Sequence, residues 1–305
     1  MVHFYATRDT QLSSYEKYKL AILFLNADQE AEGIRLLKCL KAERSLNGRK
    51  SLFVLGRVAA AKRDWNSAIN YYNEYIDKYA DQNSFFTLKA YSRLIDAYWA
   101  RGDSRKTVRH HAEQLADIVN NISDFKTQFI MANDLRRKGL PDLASATFNI
   151  ALAAAKDRIA KDKDDYEKIE TRFLVARYAC RMKKFDLVSD YADHALDSIK
   201  NLNFQHYSNE RIERINYINA QTHLWLAQAA NAQQDYFRAI AWLKTFLSRF
   251  PNSSDAGYAR CMMGRAYRKI GRTSDAVNIL QRIQTDDVWG KKARKILKEV
   301  ASDSQ

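Results

Sequence analysis

One spacing recurs from end to end of this 305-residue chain, and it points to helices packed as hairpins. In its clearest instance Leu52, Leu55 and Gly56 are followed by Asp64-Trp65, then Ala68, then Tyr72. The apolar residues repeat at three and four, which gathers them on one side of a helix. Asp-Trp breaks the run, and a second helical run follows. Small residues at Gly56 and Ala68 let the two helices of one hairpin cross closely, and bulky neighbours such as Tyr72 fill the gaps. Composition agrees. Only 9 Gly and 2 Pro leave few residues for tight turns, while helix-forming Ala, Leu, Lys, Arg and Gln are plentiful. The expected fold is all-α.

The pattern returns in order along the chain. A first unit carries Leu20-Ala21, Phe24 and Gly33; a third carries Leu94, Tyr98, Gly102 and Asp103; a fourth carries Gly139, Ala144, Phe148, Ala151 and Leu152. A fifth has Val175, Ala176, Phe185 and Ala195, a sixth Leu226, Ala227, Tyr236, Ala239 and Pro251, and a seventh Met263-Gly264, Tyr267, Gly271 and Ala276. Together these residues resemble the tetratricopeptide repeat, whose period is about 34 residues. The resemblance implies a right-handed α–α superhelical solenoid of about seven hairpins, with residues 1–305 forming a single array. The units start near Ser14, Arg49, Leu88, Phe125, Ile169, Ala220 and Gly257, in steps of 35, 39, 37, 44, 51 and 37. The two long steps place extra polar residues around Lys161 to Asp165 and Asn201 to Arg211, suited to loops or longer hairpin tips. A capping helix is expected at 287–300, where Trp289, Ala293, Ile296, Leu297 and Val300 share one face and Lys291, Lys292, Arg294, Lys295 and Lys298 lie elsewhere.

Reactive constellations are missing from the sequence. It has no GxGxxG, no phosphate-cradling GxxxxGK[ST], no HExxH and no GxSxG elbow, so no enzyme and no cofactor is expected. His3, His110, His111, His194, His206 and His223 are scattered, which favours packing or surface roles over metal binding. Acidic pairs at Asp164-Asp165 and Asp286-Asp287 read as helix caps or turns. Cys39, Cys180 and Cys261 form no CxxC pair and read as three reduced thiols packed like small hydrophobes, a weak pointer to a reducing compartment. Residues Met1 to Leu12 lack the apolar core of a secretory leader, and the longest apolar runs are too short to span a bilayer. The location is left open by the sequence: the periplasm or cell envelope is favoured if a leader has been removed, and the cytoplasm otherwise.

The candidate chemistry is that of a binding surface. In the tetratricopeptide resemblance the inner groove is lined by first-helix positions 2, 5, 9, 12 and 13. Carried onto this chain, these positions are Arg57, Asp96, Trp99, Asn133, Arg136, Arg137, Arg177, Arg181, Gln228, Asn231, Arg265, Arg268 and Lys269. The set is rich in arginine, whose planar fork matches a carboxylate, so an acidic peptide or a carboxyl terminus is the expected ligand. Trp99 offers a flat apolar anchor. The chaperone-receptor subset of the family uses a lysine at repeat position 5, which no unit here has, so that clamp is not expected. Phe246 to Ala256 and Met263 to Gly271 also resemble repeats of bacterial envelope and outer-membrane assembly proteins. The leading expectation is a scaffold in a multiprotein complex. A net charge of +14 keeps a nucleic-acid or polyanion binder as the alternative, although interleaved aromatics for base stacking are lacking. Self-assembly through the C-terminal helix is a third.

Overall fold

The computed structural model describes residues 12–79, 85–122, 124–283 and 288–302. Among them are fifteen α-helices, one 3-10 turn at Phe204–His206 and no strand. Contacts divide the chain into two compact units, Met1–Ile150 and Ala151–Gln305. In the first, α1 (Ser14–Asn26) packs on α2 (Glu30–Leu40), α3 (Leu46–Ala61) on α4 (Trp65–Tyr79), and α5 (Phe85–Arg101) on α6 (Arg105–Asn120); α7 (Phe125–Arg137) follows. The division falls within α8 (Pro141–Lys161). In the second unit α9 (Asp165–Arg181) packs on α10 (Phe185–Lys200), α11 (Asn209–Ala232) on α12 (Tyr236–Arg249), and α13 (Ala256–Lys269) on α14 (Thr273–Gln281), before α15 (Val288–Ser302).

Backbone geometry marks the seven hairpins independently of side-chain pattern. Among the described residues, those with left-handed φ are Asp28, Arg63, Gly102, Gly139, Lys183, Gln234 and Gly271, between 56° and 89°. Each is the fifteenth residue of its unit, counted from the starts read in the sequence. In each turn the next residue donates its amide to a carbonyl five residues back, as in Gln29 to Phe24, Asp64 to Ala59, Leu140 to Leu135 and Arg272 to Tyr267. That bond closes the helix C-terminus in the Schellman manner, which requires the left-handed residue. Seven identical stops give seven hairpins of one design. In the third, Ser104 rather than Asp103 caps the next helix, accepting from the Thr107 amide.

The small residues do what the spacing predicts. A Cβ placed on Gly56 would lie 2.5 Å from the Tyr72 ring, and one on Gly264 would lie 2.7 Å from Leu280. Ala68, Ala144, Ala239 and Ala276, each the twentieth residue of its unit, are all fully buried. Large side chains close the remaining space, with Tyr72, Tyr75, Phe129, Phe148, Phe173 and Phe246 almost inaccessible. Each contributes about 1.5–3 kcal/mol through burial of apolar area.

The long steps are built partly from longer hairpin tips and partly from connections. Part of the first extra stretch extends α8 through Lys161, leaving a short connection before Asp164 caps α9 by accepting from the Tyr166 amide. The second divides between residues 201–208 and added helix, since α11 starts at Asn209 and Arg211 is helical rather than in a loop. Polar residues suit a solvated helix face as well as a loop. Arg214 secures the added turns by donating from Nε and Nη2 to the Glu170 carboxylate at 2.6 and 3.0 Å. At the other end α15 buries Ala293, Ile296 and Val300 among Ala259, Met262 and Met263 of α13 and Ile279 and Leu280 of α14, with Trp289 and Leu297 partly covered. Asp286, Asp287, His3 and the start of the expected capping helix lie outside the described residues. Of the three thiols Cys261 is buried and Cys180 half-buried, but Cys39 is exposed, contrary to the expectation that each is packed. The buried face of α2 is formed by Gly33, Leu36, Leu37 and Leu40, and Cys39 falls off it.

Candidate functional site

Every residue of the expected inner set lies on the first helix of a hairpin. Arg57 is on α3, Asp96 and Trp99 on α5, and Asn133, Arg136 and Arg137 on α7. In the second unit Arg177 and Arg181 are on α9, Gln228 and Asn231 on α11, and Arg265, Arg268 and Lys269 on α13.

In the first unit α1 and α3 flank a cleft of about 670 Å³. Tyr18, Ile22 and Leu25 form one wall, and Val54, Arg57 and Val58 the other. It is an apolar trough with a guanidinium in its wall. Further along, charges are cross-linked. Lys138, whose side chain is only 8% accessible, is ion-paired to Asp96 of α5 and lies 3.5 Å from Asp134 of α7. Ser92 donates to Asp134 at 2.6 Å, completing a polar tie between the two first helices. Asp96 therefore holds neighbouring cations rather than an open site. Arg136 is half-buried and approaches Asn133 at 3.5 Å, Arg137 is exposed, and Trp99 presents 55% of its surface.

The second unit is tied differently. The Gln228 carboxamide accepts from the Cys180 thiol at 3.1 Å and donates to the Tyr258 hydroxyl at 2.8 Å. Three successive first helices, α9, α11 and α13, are thereby linked through one side chain. Burial pushes the Cys180 thiol up to about 11 and also raises the Tyr258 hydroxyl, opposed there by the Gln228 hydrogen bond. Arg177 and Arg181 both lie near the Tyr178 ring, at 5.8 and 5.4 Å from its centroid. Asn231 is half-buried, Arg265 and Lys269 are exposed, and Arg268 pairs with Glu299 of α15.

The spacing did not identify Ser92, Asp134, Lys138, Cys180 or Tyr258, which knit neighbouring first helices. No group of three or more His, Cys, Asp or Glu among the described residues could hold a metal ion. No described helix is long and apolar enough to cross a membrane.

Hairpins with a common left-handed stop, small residues at the crossings and cross-linked first helices define an all-α repeat protein of helical hairpins. Residues 50–81, 221–253 and 258–287 match the family model described as tetratricopeptide repeat, corresponding to the second, sixth and seventh units. These three stretches of the chain are tetratricopeptide repeats. Comparison with curated protein sequences gave no match. Among solved structures, a signal-transduction ATPase with a tetratricopeptide repeat sensor from Pyrococcus horikoshii is similar over 95% of this chain and 43% of that one, at 16% identity and a TM-score of 0.52. PilW, described as a widely conserved type IV pilus biogenesis factor, aligns over 83% of this chain and all of its own at 12% identity and a TM-score of 0.47. At such identities the likeness is one of fold.

Proposed function

We propose that this protein is a non-catalytic scaffold that binds a peptide or partner protein along the inner faces of its first helices and joins it to a larger assembly. The observation that carries this reading is the α1–α3 cleft, apolar along its walls and holding Arg57. An extended or helical segment with apolar side chains and a carboxylate fits that chemistry, because burial supplies affinity and the arginine fork supplies orientation. Exposed cations at Arg137, Arg181, Arg265 and Lys269 extend the preference for an acidic ligand. Trp99 is a further apolar anchor. The partner is then an acidic peptide or a carboxyl terminus, and residues 1–305 act as one array. The likeness of Phe246 to Gly271 to envelope-assembly repeats supports a bacterial envelope complex as the setting.

The test is affinity capture of partners by the full chain, repeated with Arg57→Glu alone and with Arg177, Arg181 and Arg265 all changed to Glu. Circular dichroism confirms folding of each variant. Loss of one shared partner in both supports a continuous inner groove. Unchanged capture by both folded variants removes the inner face from the account.

A further inference from the structure

A second cavity, of about 480 Å³, lies in the second unit and includes none of the inner-face residues. It is bounded by α10, the 201–208 connection, α11 and α12. Phe204, in the 3-10 turn of that connection, lines it, so the longest step in the repeat supplies part of the wall.

The histidine in this cavity is well defined. His223 is 2% exposed, and its Nδ1 lies 2.7 Å from the Asn219 carbonyl oxygen one helical turn back. A carbonyl only accepts, so Nδ1 carries the proton and donates. Nε2 therefore holds the lone pair on the opposite edge of the ring, and no described protein group donates to it. Burial, reinforced by the positive charges of Arg249 and Lys200, holds the imidazole below its ordinary pKa against the raising effect of the Asn219 bond, and so keeps it neutral. Trp242 meets the ring edge-to-face with centroids 5.6 Å apart. Trp242 Nε1 and Asn219 Oδ1 also lack hydrogen-bond partners. Most rim charges are already paired, Lys200 with Asp197 at 2.8 Å and Asp193 with Arg238 at 3.4 Å. Arg249 also lines the cavity and has no ion pair among the described residues.

We infer that this cavity binds a small amphipathic carboxylate, with its apolar body against Trp242 and Phe204, a hydroxyl donating to His223 Nε2, and its carboxylate held by Arg249. The volume suits a ligand of that size, and Leu196, Ile199, Phe204 and Trp242 supply apolar wall among polar groups that can fix its orientation. Such a carboxylate can belong to a free acid or to the carboxyl terminus of a chain ending in tyrosine.

The experiment is calorimetric titration of the full chain with 3-(4-hydroxyphenyl)propanoate. 4-Ethylphenol removes the carboxylate, and 3-phenylpropanoate removes the hydroxyl. Each omission is expected to weaken binding about tenfold or more, the effect of losing one charge-assisted or buried hydrogen bond. Arg249 is exposed, so Arg249→Gln keeps the fold; it should weaken the acid by a similar factor and leave 4-ethylphenol unaffected. Because the His223 ring is packed, its role is read by nitrogen NMR of the unaltered protein, where the Nε2 resonance should move from the free toward the hydrogen-bonded position. A peptide Gly-Gly-Gly-Tyr with a free carboxyl terminus separates the sources. Binding of the acid alone assigns a free acid, and equal or tighter binding of the peptide assigns a chain terminus. No heat and no Nε2 shift with either ligand at about 10 mM, or an Arg249→Gln variant that binds unchanged, overturns the inference.

Discussion

Arg63, Lys183 and Gln234 occupy the backbone conformation that Gly139 and Gly271 adopt without strain. An L-residue there brings its Cβ against the following carbonyl, at a cost of about 1–2 kcal/mol, partly offset because glycine loses more entropy on folding. Arg63→Gly and Lys183→Gly should each stabilise the fold by about 0.5–1 kcal/mol, measured as a higher denaturant midpoint with unchanged slope. The opposite sign applies at Gly56. Gly56→Ala drives a methyl into the Tyr72 ring and should destabilise by about 1–3 kcal/mol by the same measurement. The thiols provide a chemical check. At pH 8 Cys180, pushed up to about 11 by burial, stays protonated, and the protonated form does not react. Exposed Cys39 should alkylate well before Cys180 when peptides are followed by mass spectrometry. The hairpin register was readable because a crossing tolerates only small residues and a Schellman turn recurs at a fixed distance from them. The residues of the polar ties were not. Lys138 stands in the hairpin turn, just beyond the helix positions that the repeat assigns to ligand, and nothing in its spacing distinguishes it from a solvated lysine. Gln228 was assigned to the groove correctly as to helix, but its carboxamide is committed to Cys180 and Tyr258.

At the scale of elements, the added turns of α11 and the closing helix α15 carry the strongest expectations. Glu170 is largely buried under Arg214, so removing the arginine strands a carboxylate. Arg214→Met should cost about 1–3 kcal/mol, and Arg214→Met with Glu170→Gln should recover part of that loss, as a double-mutant cycle by chemical denaturation will read. Asn201 to Arg211 was expected as a loop or a longer hairpin tip, because asparagine, glutamate and arginine suit a connection and an exposed helix face equally. The pairing with Glu170 that selects the helix is tertiary and lies 44 residues away. The apolar face of α15, by contrast, was plain in the spacing of Ala293, Ile296 and Val300. Since Ile296 is wholly buried, Ile296→Asp should destabilise by roughly 3 kcal/mol or more and expose Met262 and Met263 to an apolar dye. With that face used inside its own unit, α15 turns Lys291, Lys292, Lys295 and Lys298 outward. The molar mass from light scattering should therefore stay that of a monomer as concentration rises.

For the whole molecule, the composition announced helices and the spacing counted them, while ligand chemistry was legible only in outline. The first-helix cations of the expected inner set follow from repeat position alone. The cavity around His223 was not, because it is built from α10, α12 and an insertion that the repeat does not describe. The polar ties have a mechanical meaning. A stack of hairpins pulled from its ends opens first between neighbours, where only side-chain packing resists. In the second unit Gln228 bridges α9 and α13 across α11, and in the first Lys138 and Ser92 bridge α5 and α7. Within each unit such a bridge stiffens the side of the stack on which it lies, so that tension or a bound partner would splay the opposite side of that unit first.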